Sequence, residues 1–253
     1  MTRENDSGTI ADAPAFARFL HRLAMFILMR QLAYPGLGLL KNPLYTEMTA
    51  LAKDRELAFA NHRIPRGIVA SAFDNFVFAN VRLLTRPFLA WWLLHDPKQP
   101  LPPDATRFQI EHIYSVHRNK LHPLANAAAI ESLGNKTLLE YNINIPASSH
   151  AFADKKKYYL GQTGKGTKTS VRELLELANL PDWTEENIGK RNALIRTAFL
   201  DELNSLLLFS LSLLALVWYG MMASAFPLLF NSSNMVFILS SLINGESHGS
   251  TRA

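Results

Sequence analysis

The chain has 253 residues, 48% of them hydrophobic, with 26 Lys and Arg against 21 Asp and Glu and no Cys. That much apolar content supports a sizeable core and excludes global disorder, and the lack of cysteine excludes a disulfide framework and a thiolate zinc site. A formal net charge of +5 suits a polyanionic partner without identifying one.

The opening fifteen residues, MTRENDSGTIADAPA, are polar and mixed in charge, the wrong order for a secretory signal. Phe16, Phe19, Leu20, Leu23, Phe26 and Ile27 then follow a 3.6-residue period and predict a helix, which Pro35-Gly36 ends. Arg18, His21, Arg22 and Arg30 argue against a membrane span there. A second helix is expected over Tyr45–Asn61, broken by Pro65-Arg66-Gly67, and a long apolar stretch follows from Ile68 to Leu94, interrupted at Pro87. Residues 1–100 thus read as a helical region in which no catalytic cluster stands out, and Trp91-Trp92 read as core or interface residues.

Pro97 to Pro103 places four prolines in seven residues and predicts a stiff linker. Short strands are expected at Phe108–Ile110 and Lys136–Leu139, with a polar loop, Ser115–Asn126, between them. A helix is expected over Ile145–Tyr159, a glycine-rich basic loop over Gly161–Thr169, and two amphipathic helices over Ser170–Asn179 and Thr184–Leu203. The glycine loop has the wrong spacing for a phosphate loop. From Leu203 to Asn244 no residue is charged, and residues 206–230 are long and apolar enough to span a bilayer or to pack as a very apolar helix. The expected domains are a helical region, 1–100, a catalytic domain, 101–204, and an apolar helical tail, 205–253.

The segment from Gln109 to Lys155 carries the chemistry: Glu111-His112-Ile113, then Leu133-Gly134-Asn135-Lys136, then Asn142-Ile143-Asn144. Phosphodiester hydrolysis needs an activated water, and a neutral imidazole near its ordinary pKa of about 6.5 can take the proton. His112 is the candidate base, and Asn135 on the paired strand is the candidate to orient it. A hard divalent cation such as Mg²⁺ or Mn²⁺ would stabilise the phosphate charge, with Glu111 and Asn144 as oxygen ligands. Asn142 competes with Asn144, which is preferred on spacing. Adjacent strand residues point to opposite faces, so Glu111 and His112 serve one site only where the strand ends or twists. His117, His122 and His150 read as surface histidines, and His21, His62 and His95 as structural. Lys155-Lys156-Lys157 with Tyr158-Tyr159 form a basic-aromatic run beside the site, which Lys165, Lys168, Lys190, Arg191 and Arg196 could extend.

Residues 108 to about 202 resemble the HNH (ββα-metal) nuclease domain at the C-terminus of GmrSD-type, modification-dependent (type IV) restriction endonucleases. The matching text is FQIEHIYS, LGNKTLLEYNINIPASSHAFADKKKYY and PDWTEENIGKRNALIRTAFL. The resemblance implies an α+β, mostly α fold with a small ββα core flanked by helices. It implies His112 as general base, Asn135 as its orienting residue, and Glu111 and Asn144 as metal ligands. It also implies Lys155 near phosphate, and Lys156 and Lys136 join it as candidate nucleic-acid contacts. Ser115 stands where the family has Pro, and Ser148-Ser149 where it has Ser-Asn. Full-length relatives carry a nucleotide-dependent N-terminal half without a counterpart here, so a separate partner supplying it is an expectation. The expected function is metal-dependent DNA cleavage in defence against foreign or modified DNA, in the cytoplasm. Two alternatives are a truncated, non-catalytic nucleic-acid-binding module and an effector anchored on the cytoplasmic membrane face through residues 206–230.

Overall fold

The computed structural model describes residues 13–53, 59–103, 106–164 and 166–225, the side chains at 13, 37, 51, 52 and 207–225 excepted. The fold is mostly helical with one small two-stranded sheet, the α+β organisation expected. The described residues up to Ser205 form one compact unit, and those from Leu206 belong to a second.

Helix α1 (Ala13–Ala33) ends where expected. Gly36 sits at φ 140°, and the Gln31 side chain holds its backbone from both sides, accepting from Gly36 N at 3.1 Å and donating to Gly36 O at 3.2 Å. Helix α2 (Leu37–Ala52) begins eight residues before the expected Tyr45, and Ala60–His62 forms a separate 3-10 turn; residues 54–58 lie outside the described ones. The Ile68–Leu94 stretch is two helices, α3 (Arg66–Asn75) and α4 (Thr85–His95). Pro87 is not the break: it lies in the first turn of α4, where a missing N–H breaks no intrahelical bond. The chain turns instead between Asn75 and Thr85, and the Thr85 hydroxyl, fully buried, donates to Ala79 O at 2.7 Å.

Aromatic packing fixes α3 and α4 against α9 (Glu185–Ala225) at Phe199. Phe88 meets Phe73 at 6.0 Å, Phe78 at 5.4 Å and Phe199 at 4.8 Å, ring centre to ring centre. All four rings are buried, each contributing about 1.5–3 kcal/mol by the transfer scale. The Trp91 and Trp92 indoles donate to Glu202 at 3.1 Å and Glu173 at 3.0 Å, structural roles as anticipated. The proline stretch is fastened at its start: Gln99 bonds Ser170 O at 3.0 Å and Arg172 N at 2.9 Å, and Asp96 accepts from Arg172 at 2.6 Å.

Strand β1 (Phe108–His112) pairs antiparallel with β2 (Lys136–Glu140), Phe108 opposite Glu140 and His112 opposite Lys136. Part of the expected loop between them is helical: α5 (Val116–Leu121) is capped by Ser115, whose hydroxyl accepts from Arg118 N at 3.1 Å and donates to Ser149 O at 3.0 Å. The buried Ser115 side chain thus ties the turn after β1 to the backbone at Ser149, a link proline could not make. The expected Ile145–Tyr159 helix is two, α6 (Tyr141–Ala147) and α7 (Phe152–Tyr159), because Ser148 takes a positive φ of 27°. Helix α8 (Arg172–Leu177) and α9 follow, the latter opened by Thr184 and Asn187, whose side chains bond at 2.7 Å. Ile113, Leu139, Ile143, Phe152, Tyr159, Leu174 and Trp183 form the core beneath the sheet.

Among the described residues no helix is long and apolar enough to cross a membrane. The candidate membrane segment, 206–230, falls on side chains and residues outside those described.

Candidate active site

The strand pair divides the expected site residues between two sets of neighbours. Gln109 and Glu111, two apart on β1, share a face. There Gln109 Oε1 accepts from Asn144 Nδ2 at 2.8 Å, and Glu111 forms an ion pair with Lys155 of α7. Glu111 is 5% exposed and Lys155 is fully enclosed, its ammonium also donating to His112 O at 2.5 Å. Burial pushes the Glu111 carboxyl above, and the Lys155 ammonium below, their ordinary values, while mutual attraction pulls each back. The enclosed Tyr159 hydroxyl lies close to the Glu111 carboxylate; burial, then the Glu111 charge, hold it well above the usual tyrosine range.

Among the described residues Asn144 Oδ1 is buried with no hydrogen-bond partner. An unsatisfied buried amide oxygen costs about 1–3 kcal/mol, and this one belongs to the side chain that bonds Gln109 on the β1 face of Glu111. Asn142, the competing residue, is exposed and its amide reaches Thr167 at 3.4 Å. Glu111 and Asn144 therefore offer two oxygen donors. Among the described residues no three His, Asp or Glu side chains gather as a metal-binding group.

His112, the last residue of β1, meets different neighbours. Its Nε2 lies 3.3 Å from Glu131 Oε1, and Glu131 Oε2 accepts from Lys136 Nζ at 2.5 Å. Lys136, opposite His112 in the sheet, is fully enclosed, and its ammonium also donates to Phe78 O at 2.6 Å and Asn80 Oδ1 at 2.7 Å. Burial first, and the Lys136 charge second, push the His112 imidazole down to about 4 against the pull of Glu131. The ring is therefore neutral at pH 7.

Asn135 does not hold the imidazole. Its side chain accepts from Tyr114 N at 2.7 Å and donates to Tyr114 O at 3.0 Å and Ile130 O at 3.1 Å, while its carbonyl accepts from Ile113 N at 2.9 Å. Fully buried, it clamps the backbone that leaves β1 just after Glu111-His112. A 3-10 turn, Leu133–Asn135, precedes β2 and brings this amide to Tyr114 rather than to the ring.

The lysines expected at nucleic acid also depart from the sequence reading. Lys136 and Lys155 present no charge to the surface, because both ammonium groups are enclosed and bonded inside the protein. Lys156 is half-buried, its Nζ donating to Leu180 O at 3.1 Å. Among the cations expected to widen the patch, Lys190 pairs with Glu186 and Arg196 with Asp74, while Lys165 lies outside the described residues. Arg191 is 5% exposed and acts as a clamp: its guanidinium donates to Leu133 O, Gly134 O and Lys136 O at 2.8, 3.1 and 2.7 Å, and pairs with Glu173. Of the histidines taken as surface residues, His117, His122 and His150 are exposed, and His150 stacks on Tyr158 at 5.6 Å. Two residues escaped the sequence reading: Glu131, which lies nineteen residues from His112 in a stretch with no motif, and the carbonyl-binding role of Arg191.

The family described as GmrSD restriction endonucleases, C-terminal domain, matches residues 71–198, from α3 through the strand pair into α9. No curated protein and no solved structure matches the chain.

Proposed function

Because the chain belongs to the family of GmrSD restriction endonuclease C-terminal domains, a restriction-endonuclease-like nuclease family, we propose that it is a metal-dependent DNA endonuclease with an HNH-type site, acting in defence against foreign or modified DNA. The observation that carries this reading is a buried Asn144 oxygen, unpartnered among the described residues, held beside Gln109 on the β1 face that also carries Glu111, on a strand that ends in His112. A carboxylate and an amide oxygen are hard donors of the kind Mg²⁺ and Mn²⁺ take, and these ions commonly keep several waters beside one or two protein ligands. The donor set therefore fits such an ion, with Glu111 and Asn144 holding it. When bound, the ion would supply positive charge to the phosphate and to the leaving oxygen.

The remaining work falls to the chain's own residues. His112, neutral at pH 7, takes the proton of the attacking water. A base held near 4 is always ready to accept, though it is a weaker acceptor than an unperturbed imidazole. Asn135 fixes the backbone that follows the base, and Lys155 holds the Glu111 carboxylate in place.

The alternative of a non-catalytic binding module draws support from one observation: Glu111 is already closed off by Lys155, and His112 faces other neighbours. Plasmid nicking with Mg²⁺ or Mn²⁺ separates the two. The intact chain is expected to nick and chelator to stop it, and His112→Ala is expected to lower the rate by about 10²–10⁴-fold. Equal rates for both proteins would remove His112 as base, and no nicking by the intact chain on plain or modified DNA would favour the module.

A further inference from the structure

We infer that Glu131 is the positioning residue of His112, setting its tautomer and ring orientation, and that Lys136 is the lock on Glu131. This rests on His112 acting as the base. The bond from His112 Nε2 to Glu131 Oε1, at 3.3 Å, is the ring's one hydrogen bond among the described residues. A carboxylate can only accept, so Nε2 carries the proton and Nδ1 keeps the free lone pair. Nδ1 is then the atom that receives a proton from water. Without such a partner a neutral imidazole divides between two tautomers and turns about its χ angles, and part of the population presents the wrong nitrogen.

Glu131 is suited to this because it is itself fixed. Its second oxygen accepts from Lys136 Nζ at 2.5 Å, and Lys136 is held in turn by Phe78 O and Asn80 Oδ1. Cross-strand pairing of His112 with Lys136 sets the two side chains near each other, so the carboxylate lies within reach of both. The chain His112–Glu131–Lys136 thus ends on the backbone of the segment between α3 and α4. This assigns Lys136 an interior role in place of a nucleic-acid contact, and gives Glu131 the orienting role expected of Asn135. Glu131 is 31% exposed in its side chain, so it forms the outer edge of the group and its replacement does not leave a hole in the core.

The test uses the full chain labelled with ¹⁵N at histidine, with Glu131→Gln as the variant. Glutamine keeps the shape and an oxygen for Lys136, but it can also donate, which removes the one-way demand on Nε2. Thermal unfolding confirms that Glu131→Gln is folded, and Glu131→Asp serves as a second variant that keeps the charge. In the wild type the imidazole ¹⁵N shifts of His112, assigned by comparison with His112→Ala, are expected to show the Nε2–H form. In Glu131→Gln they are expected to show a mixture, and in Glu131→Asp a partial return. In nicking assays Glu131→Gln is expected to lower kcat by about 10–100-fold with KM nearly unchanged, the usual scale for a partner of this kind. The double variant Glu131→Gln/His112→Ala is expected to be no slower than His112→Ala. A wild-type Nδ1–H form, or identical His112 shifts in wild type and Glu131→Gln, would overturn the proposal. Losses that add in the double variant would do the same. If the intact chain does not nick, the nuclease reading fails, while the ¹⁵N spectra still decide whether Glu131 sets the ring.

Discussion

Gly134, in the 3-10 turn that leads into β2, lies directly against α9, and its replacement tests how the site is built. A Cβ placed on Gly134 would lie 2.1 Å from Ile188 O and 2.8 Å from Asn192 Cβ, well inside any real contact. The obstacle at Ile188 is backbone, so relief requires the turn before β2 or the first turns of α9 to move by about an ångström. The shift would also loosen the bond from Gly134 N to Asn192 Oδ1, now 3.1 Å. Overpacking of this kind costs about 1–3 kcal/mol, and a lost hydrogen bond adds about 1 kcal/mol, so Gly134→Ala is expected to destabilise by about 2–4 kcal/mol. Gly189, on the same helix, is exposed, and a Cβ added there would meet nothing within 4 Å, so Gly189→Ala is expected to stabilise by about 0.5–1 kcal/mol through helix propensity. Urea unfolding followed by far-UV circular dichroism measures both. Because Asn135 follows Gly134 and clamps Tyr114, the alanine variant is also expected to nick more slowly. A Gly134→Ala protein within about 0.5 kcal/mol of wild type, a difference of the size left by an ordinary surface change, would refute the close approach as the reason for this glycine.

Arg191→Ala is expected to cost about 3–5 kcal/mol in the same assay, since it strands the Glu173 carboxylate and three backbone carbonyls; Arg191→Lys should recover little, because one ammonium cannot reproduce the fork. The His112 imidazole is held down to about 4 in the fold against about 6.5 unfolded, so the unfolded chain binds a proton first as pH falls. Stability is therefore expected to drop between about pH 6.5 and 4, by up to about 3 kcal/mol, with the drop reduced in His112→Phe; equal pH slopes for the two proteins would contradict this. Asn144→Leu removes the unpartnered oxygen together with the bond to Gln109, and it is expected to weaken Mn²⁺ binding seen by electron paramagnetic resonance by at least about 10-fold; unchanged Mn²⁺ binding would remove Asn144 from the site.

What could be read from the sequence was governed by range. Glu111-His112, Gly134-Asn135 and Asn144 lie in short motifs whose order, strand, strand, helix, survives in the fold, because that order is set by local hydrogen bonding and alternation. The helix limits were less legible. Ser148 splits the Ile145–Tyr159 stretch through a positive φ that no periodicity announces, and the turn between α3 and α4 is held by Phe78, whose ring packs on Phe73 of one helix and Phe88 of the other. Lysines misled most. A basic residue reads as surface charge until its partner is known: Lys155 and Arg191 reach Glu111 and Glu173 through tertiary packing, and Lys136 meets Glu131, five residues back, across the 3-10 turn before β2.

Those partners explain how so many charges sit at a two-stranded sheet with little solvent. Glu111 with Lys155 and Glu131 with Lys136 make two opposed pairs, one at the Glu111 face and one at His112, and the neutral imidazole adds no charge. An isolated buried ion would cost several kcal/mol, whereas a pair with further hydrogen bonds to His112 O or to Phe78 O and Asn80 recovers most of that. The balance also governs which variants can inform. Replacing Lys155 or Lys136 by alanine leaves a carboxylate without its counter-ion, so lost activity would report lost structure as readily as lost chemistry. Glu131→Gln also takes the counter-ion from Lys136, but it leaves the ammonium bonded to Phe78 O, Asn80 Oδ1 and a side-chain oxygen, and the pair beside Glu111 stays intact. The separation of the two pairs across β1 is what makes that possible: the acid that would hold a cation and the acid that orients the base are different residues on different elements, and each can be altered without unpairing the other.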